Sequence, residues 1–382
     1  MTNIYLIRHC EAEGNVFRRC HGWYDADITA RGARQSELVA ERLCGEPIEK
    51  IYSSDLYRAR RTAMPLARMK GLGIIPVQGL REINLGFWED KMWGELPLEY
   101  PEQFGYWERE PFRCVPEGGE SVRRVGERMY ATIARLAEEN EGKTIACFSH
   151  GAAARSFLCL ALGKPLEEIK TLGWCENTAV SRLTYDGERF RVVYYYSDEH
   201  LKQAEGTLAN QNWWRAGDDP RRHNLRMRAA VLPEDLDLVE HYAHLFFKSA
   251  YGSDEILDHE GYARLVDYLA LDEDGASFAM SVDEPVGMIL VDFENTDYES
   301  CAFIRTLAVD EQYRGAGFAP QLLGHAVSRA RSRGLRNLRA NVAKTNGRAL
   351  AFYQKYHFAP AGEDEKHIVM MRSVKVDSML RP

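Results

Sequence analysis

The 382-residue chain has little that would tie it to a membrane, a nucleic acid or a metal. It holds no apolar run near the roughly eighteen residues that a membrane-spanning helix needs. No basic-then-apolar leader stands at the start, and a cytoplasmic location is expected. Basic residues are not in excess: 49 Lys and Arg face 57 Asp and Glu, a formal charge of −8. That balance argues against nucleic acid or anionic lipid as the main partner. The eight cysteines form no C-x-x-C pair and no zinc-like spacing with histidine, so they read as free thiols in a reducing compartment. Internal repeats and low-complexity tracts are missing too. What remains, 45% hydrophobic and 28% charged residues, is the composition of a soluble globular protein. The length exceeds one ordinary core and predicts two domains.

The first half turns on Ile4-Tyr5-Leu6-Ile7-Arg8-His9-Cys10-Glu11. The apolar run reads as a short buried strand that delivers an Arg-His pair to a strand end, where open parallel sheets place ligands. A guanidinium fork orients a phosphate, and an imidazole nitrogen can attack phosphorus. Alone, such a pair is more often structural. Thr29 caps a helix predicted over Ala30–Leu43. A strand at Ile51–Ser53 runs into Ser54-Asp55-Leu56-Tyr57-Arg58-Ala59, which puts Arg58 in the first turn of the next helix. Leu80-Arg81-Glu82 follows. The buried strand Thr144–Phe148 then ends in Ser149-His150-Gly151, a second histidine at a strand end.

Taken in order, Arg8-His9, Asn15, Ser53-Ser54-Asp55-Leu56-x-Arg58-Ala59, Leu80-Arg81-Glu82 and Ser149-His150-Gly151 resemble the histidine phosphatase (phosphoglycerate-mutase-like) superfamily over about residues 1–198. The resemblance implies that His9 is the nucleophile and forms a phosphohistidine. Arg8, Arg58, His150 and Gly151 would surround the phosphoryl group, Asn15 would add a polar contact, and Glu82 would protonate the leaving oxygen. Preorganised cations around the transferring phosphoryl group are the main catalytic contribution in such chemistry. A carboxyl beside bound phosphate is kept protonated by like-charge repulsion, which suits the acid role. No metal is implied. Cys10 and Ala12 stand where the family usually has glycine and often threonine. Cys10 is read as a small buried residue, with oxidation sensitivity as the sharper alternative. The compact domain resembles broad phosphatases and α-ribazole-phosphate phosphatases more than mutases, which favours hydrolysis. The aromatic segment 93–116 would cover the pocket, or simply pack locally.

Ser181–Tyr196 alternates around Asp186-Gly187 as a hairpin. The stretch 201–224 reads as a linker whose last part, 216–223, is turn-rich and charged. Trp213-Trp214 within it is expected to dock against a domain rather than stand exposed, with a ligand platform as the other reading. Beyond it, Leu225–Ala230 is a first strand, and Pro233 starts a helix carrying Val239, Ala243 and Phe246-Phe247. Antiparallel strands follow, then a long strand at Ala302–Val309. It leads through Arg314-Gly315-Ala316-Gly317-Phe318-Ala319 into a helix. Two glycines between strand and helix let backbone amides approach a pyrophosphate, though G-x-G alone is weak. No Gly-Lys-Ser/Thr follows, so this is no Walker A loop, and the hairpins before it argue against a Rossmann unit.

With its flanks, Arg314–Ala319 resembles the acyl-CoA loop of the GNAT acyltransferases. Asn346-x-x-Ala349-x-x-Phe352-Tyr353 and Phe358 resemble that family's later segment, and the resemblance covers about 225–372. It implies acetyl-CoA binding by Arg314, Gly315, Ala316, Gly317, Phe318 and Ala319, with Asn346 nearby and Tyr353 as the acid for the departing thiolate. For Tyr353 the plainer reading is a buried aromatic. Glu299 is a weak candidate for the base, a water would serve too, and His357 replaces the usual glycine before Phe358. The expected architecture is α/β: an N-terminal three-layer α/β/α histidine-phosphatase domain (1–200), a linker (201–224), and a C-terminal α+β GNAT domain (225–375). The expected activities are hydrolysis of a small phosphate monoester and acetyl-CoA-dependent N-acetylation of a small amine. An acetyl-CoA-binding regulatory module beside an active phosphatase, and a non-catalytic metabolite-binding protein, are the alternatives.

Overall fold

The computed structural model describes residues 1–214, 220–252, 275–294 and 298–376. Two sheets organise them. The first contains β1 (Thr2–Arg8), β2 (Lys50–Ser53), β3 (Ile74–Pro76), β4 (Thr144–Ser149), β5 (Val180–Tyr185) and β6 (Phe190–Ser197), in the order β3-β2-β4-β1-β5-β6. β1 to β4 run parallel, and the β5–β6 hairpin closes one edge antiparallel. The period-two alternation of a strand sorts β1 onto two cores. Ile4 and Leu6 join the layer packed by the helices Val122–Glu138 and Gly151–Ala161, while Tyr5 and Ile7 join that of the helices Ala30–Leu43 and Tyr57–Lys70. This is the expected three-layer sandwich. The predicted helix over 30–43 forms with those bounds, its first turn capped by Thr29 Oγ1 accepting from the Gly32 amide.

The second sheet contains β7 (Arg226–Ala229), β8 (Ala276–Ser281), β9 (Glu284–Asp292), β10 (Cys301–Val309), β11 (Asn337–Ala343), β12 (Ala359–Glu363) and β13 (His367–Ser373), in the order β12-β13-β11-β10-β9-β8-β7. All its pairings are antiparallel except β10 with β11. The helix Phe318–Ser332 covers one face through Leu322, Leu323 and Val327, and the helix Leu236–Tyr251 covers the other against Phe278 and Met288. β10 and β11 pair only through Ile304↔Ala340, after which the strands part.

The segment read as a linker is less free than its composition suggested. Residues 201–214 dock on the first sheet's domain, where the Glu176 carboxylate accepts from the Thr207 and Leu208 amides. Of the turn-rich part 216–223, residues 216–219 lie outside the described residues, and Pro220–Arg222 form a single 3-10 turn. Trp213 is half-buried, with its ring 5.7 Å from Trp174, whereas Trp214 keeps 38% exposure. Docking is therefore partial.

The two halves share a packed interface built on the short helix Glu13–Phe17. Phe17 enters the apolar core of the second sheet, with Tyr356 5.9 Å away and its Cβ where a side chain on Gly324 would have to stand. Glu13, 2% exposed, lies 2.5 Å from Arg372 and 2.8 Å from Arg331. Arg19 pairs with Asp90 at 2.8 Å and donates to Ser328 Oγ, which in turn donates to Asp90.

Candidate active sites

Parallel strands end on one side of their sheet, and the first site is assembled from three such ends. Arg8 at the end of β1 stands opposite Ser149 at the end of β4, and Ser53 of β2 stands opposite Phe148. The next residues, His9, His150 and Ser54, are thereby gathered. The His9 and His150 rings lie 5.2 Å apart, and His150 Nε2 is 2.8 Å from Ser54 Oγ. Arg58, 1% exposed, comes from the first turn of its helix and donates to the Tyr24, His21 and Gly22 carbonyls, so the loop before it fixes the guanidinium. Gly22 is required in that loop, because a Cβ there would stand 2.3 Å from the Ile83 carbonyl oxygen. Glu82 reaches the same place: its carboxylate accepts from the Ala152 amide at 3.1 Å and the Ala153 amide at 2.7 Å, in the first turn after His150. A Cβ on Gly151 would meet Arg8 Nε at 3.3 Å, so glycine keeps that approach open.

Electrostatics set the state of the histidines. Burial, then the cations of Arg58 and Arg8, pull the His9 pKa well below its ordinary 6.5. A neutral ring carries one proton. His9 Nδ1 sits 2.7 Å from the Cys10 carbonyl oxygen, which can only accept, so the proton belongs on Nδ1 and Nε2 keeps its lone pair. Burial and Arg58 depress His150 in the same way. Two buried donor-capable atoms of the site, Arg8 Nε and His150 Nδ1, have no partner among the described residues. Buried polar atoms are normally satisfied, so this pair points to a group that arrives from outside.

Asn15 is brought to the same end but is already engaged: its Oδ1 accepts from the Ala12 amide at 2.9 Å. Cys10 is fully buried, and desolvation pushes its thiol up to about 12, which makes it the inert small residue rather than an oxidisable thiolate. Three residues that hold the site were given no role in the sequence reading. Ser54 bonds His150, Thr62 Oγ1 accepts from the Cys10 amide at 2.9 Å, and Asn177 donates to the His9 carbonyl at 2.8 Å. Ser54 lay in plain view beside the Asp55–Arg58 motif. Asn177 stands 168 positions from His9 with no local pattern around it. The aromatic segment 93–116 is largely helical (Leu96–Glu99, Pro101–Arg109), and Trp107 packs edge-on to Trp88 and tilted against Trp93, as local packing requires.

The second site lies where β10 and β11 part. A cavity of about 560 Å³ opens there, lined by Arg314 to Ala319, Asn346 and Tyr353. Gly315 and Gly317 have φ of +86° and +83°, and no atom stands within 4 Å of a Cβ at either, so bare amide backbone faces the start of the helix Phe318–Ser332. An acyl-CoA pyrophosphate fits this cradle. Asn346 caps the helix Gly347–Lys355 by accepting from the Ala349 amide. Tyr353 is packed against Phe352 and Phe358, and burial raises its pKa, so the hydroxyl holds its proton. The plainer reading, a buried aromatic, is what this packing shows, and the residue also lines the cavity. Glu299 is exposed and does not line the cavity.

Comparison with known families agrees with the two folds. The family model of the histidine phosphatase superfamily (branch 1) matches residues 4–198, and the chain belongs to that superfamily. The acetyltransferase (GNAT) family model matches residues 237–358 of the same chain. More particularly, the first half is 33% identical over 193 residues to phosphoserine phosphatase 1 of Hydrogenobacter thermophilus, covering 50% of this chain and 90% of that one. It is 35% identical over 189 residues to a protein of Klebsiella pneumoniae named "Probable phosphoglycerate mutase GpmB", covering 48% and 86%. Among solved structures, Bacillus stearothermophilus YhfR superposes with a TM-score of 0.52 at 28% identity, over 53% of this chain and all of that one. Among the described residues, no helix is long and apolar enough to cross a membrane.

Proposed function

We propose that the chain is a bifunctional enzyme of two domains, 1–200 and 225–375: a phosphatase of small phosphate monoesters and an acetyl-CoA-dependent N-acetyltransferase of a small amine. The observation that carries the first half is the buried His9 ring, whose Nδ1 lies 2.7 Å from the Cys10 carbonyl oxygen and so leaves Nε2 to face phosphorus. Nε2 attacks phosphorus, the bond from phosphorus to the ester oxygen breaks, and Glu82 gives that oxygen a proton. A water then attacks the phosphohistidine, Glu82 takes the water's proton, the P–N bond breaks, and inorganic phosphate leaves. Arg8, Arg58 and His150 hold the phosphoryl oxygens, with the Gly151 backbone and Asn15 beside them. The 93–116 segment is the cover that selects the ester. Hydrolysis of phosphoserine-like esters is the first substrate class to try, given the name of the Hydrogenobacter relative.

In the second half, Arg314, Gly315, Ala316, Gly317, Phe318 and Ala319 cradle the pyrophosphate, and Asn346 shapes the wall beside it. Acetyl-CoA supplies an activated acyl group there. Tyr353 holds a proton at its hydroxyl, poised for a departing thiolate. The deciding experiment is mass spectrometry of the full chain, exposed briefly to a panel of phosphate esters and quenched in denaturant at alkaline pH. An acid-labile phosphate on His9, absent from His9→Ala together with all turnover, is the expected result. Undiminished turnover by His9→Ala would sink the nucleophile assignment.

A further inference from the structure

The cavity of the second domain is not walled by that domain alone. Arg18, which follows the interface helix Glu13–Phe17 of the first domain, lines it, as does Trp213. Arg18 is 8% exposed, its guanidinium carbon lies 4.1 Å from the Trp213 ring centroid, and its Nε donates to Asn224 Oδ1 at 2.8 Å. No carboxylate pairs with it among the described residues. A buried cation without a counter-charge is costly, and stacking on indole offsets only part of that cost. Desolvation pulls its pKa down to about 9, as expected for a guanidinium that lacks an anion. The acidic group on this wall, Glu11, is already satisfied by Arg31 at 3.1 Å and by the Thr29 hydroxyl.

Arg18 is also tied to the phosphate cradle. Its partner Asn224 is flanked by His223, whose carbonyl accepts from Gln321 Nε2, and by Leu225, whose amide donates to Gln321 Oε1. Gln321 stands at the start of the helix Phe318–Ser332, next to the Gly315–Gly317 backbone. The helix dipole and Arg18 therefore converge on one cavity from two domains, and both favour negative charge.

We propose that Arg18 is a phosphate-binding residue of the acyl-CoA pocket, so that the nucleotide end of acyl-CoA is held between the two domains. The proposal rests on the acyl-CoA reading given above. Its test is calorimetric titration of the full chain and of Arg18→Met with acetyl-CoA, 3′-dephospho-CoA and pantetheine, which carries no phosphate. Arg18→Met should weaken acetyl-CoA binding about 10- to 100-fold, the worth of a charge-assisted hydrogen bond, and leave pantetheine unaffected. A loss that disappears with 3′-dephospho-CoA assigns Arg18 to the 3′-phosphate, and one that persists assigns it to the pyrophosphate. Unchanged acetyl-CoA affinity, or an equal loss for pantetheine, overturns the proposal. Wild-type chain that binds no acetyl-CoA would instead refute the acyl-CoA reading itself. Should Arg18→Met not fold, Arg18→Gln keeps a donor for Asn224 and is read by the same criteria.

Discussion

Glu13 offers the sharpest quantitative test of how the two domains are joined. Its carboxylate is buried, and although desolvation opposes ionisation, Arg331 and then Arg372 outweigh it and bring the pKa to about 2. A fall from the ordinary 4.5 to about 2 corresponds to about 3 kcal/mol of folding stability. Glu13→Gln removes that contribution and leaves two guanidinium groups facing each other without a counter-ion, and breaking a buried ion pair in this way costs about 3–5 kcal/mol. Because the folded pKa is depressed, the contribution is complete above about pH 4.5 and is lost as the pH falls toward 2. Urea unfolding followed by circular dichroism at pH 7 should therefore place Glu13→Gln about 3 kcal/mol below wild type. The gap should narrow steadily below pH 4.5. A difference under about 1 kcal/mol at pH 7, or one that ignores pH, would refute the reasoning. Replacing Glu13, Arg331 and Arg372 together with apolar residues should recover much of the loss, since it is the uncompensated charge that destabilises.

The first site predicts a pH profile. Because His9 and His150 are both depressed below 6.5, the acid limb of kcat/KM for an unactivated ester should lie below pH 6.5, and a midpoint at or above 6.5 would contradict a neutral nucleophile. Glu82→Gln should slow esters with poor leaving groups far more than activated aryl phosphates, and equal losses across a leaving-group series would remove its acid role. At the interface, Gly324→Ala sets a Cβ 2.4 Å from Phe17 Cβ, the rigid base of that side chain. It should cost about 1–3 kcal/mol in denaturant unfolding, and a neutral result would show that the helix Glu13–Phe17 can shift.

How much of this was legible in the sequence depended on whether the physics was local. Strand ends, caps and loops announce themselves within a few residues. Arg8-His9, Ser149-His150 and Gly315–Gly317 are thus placed by the sequence at the carboxyl ends of strands or the start of a helix. The Thr29 cap and the Asp186-Gly187 hairpin followed from the same short-range chemistry. What escaped notice was whatever needed two distant parts of the chain at once. Arg18 belongs to no motif, and its meaning comes from Asn224, 206 positions later, and from the indole of Trp213. Glu13 reads as an ordinary acidic residue until Arg372, 359 positions on, lies against it. The segment 201–214 looked like a tether because its apolar period fades, yet it is held down by polar contacts to Glu176, which leave no periodic signature. Each half carries a complete local motif set, whereas the junction carries none. Each site answers to its own chemistry, whereas the interface answers only to the neighbour it happens to have. The Arg18 titration and the Glu13→Gln unfolding test that junction from its two sides, ligand and fold. A chain that fails both would be two domains on one polypeptide, whose contact neither stabilises the fold nor joins their sites.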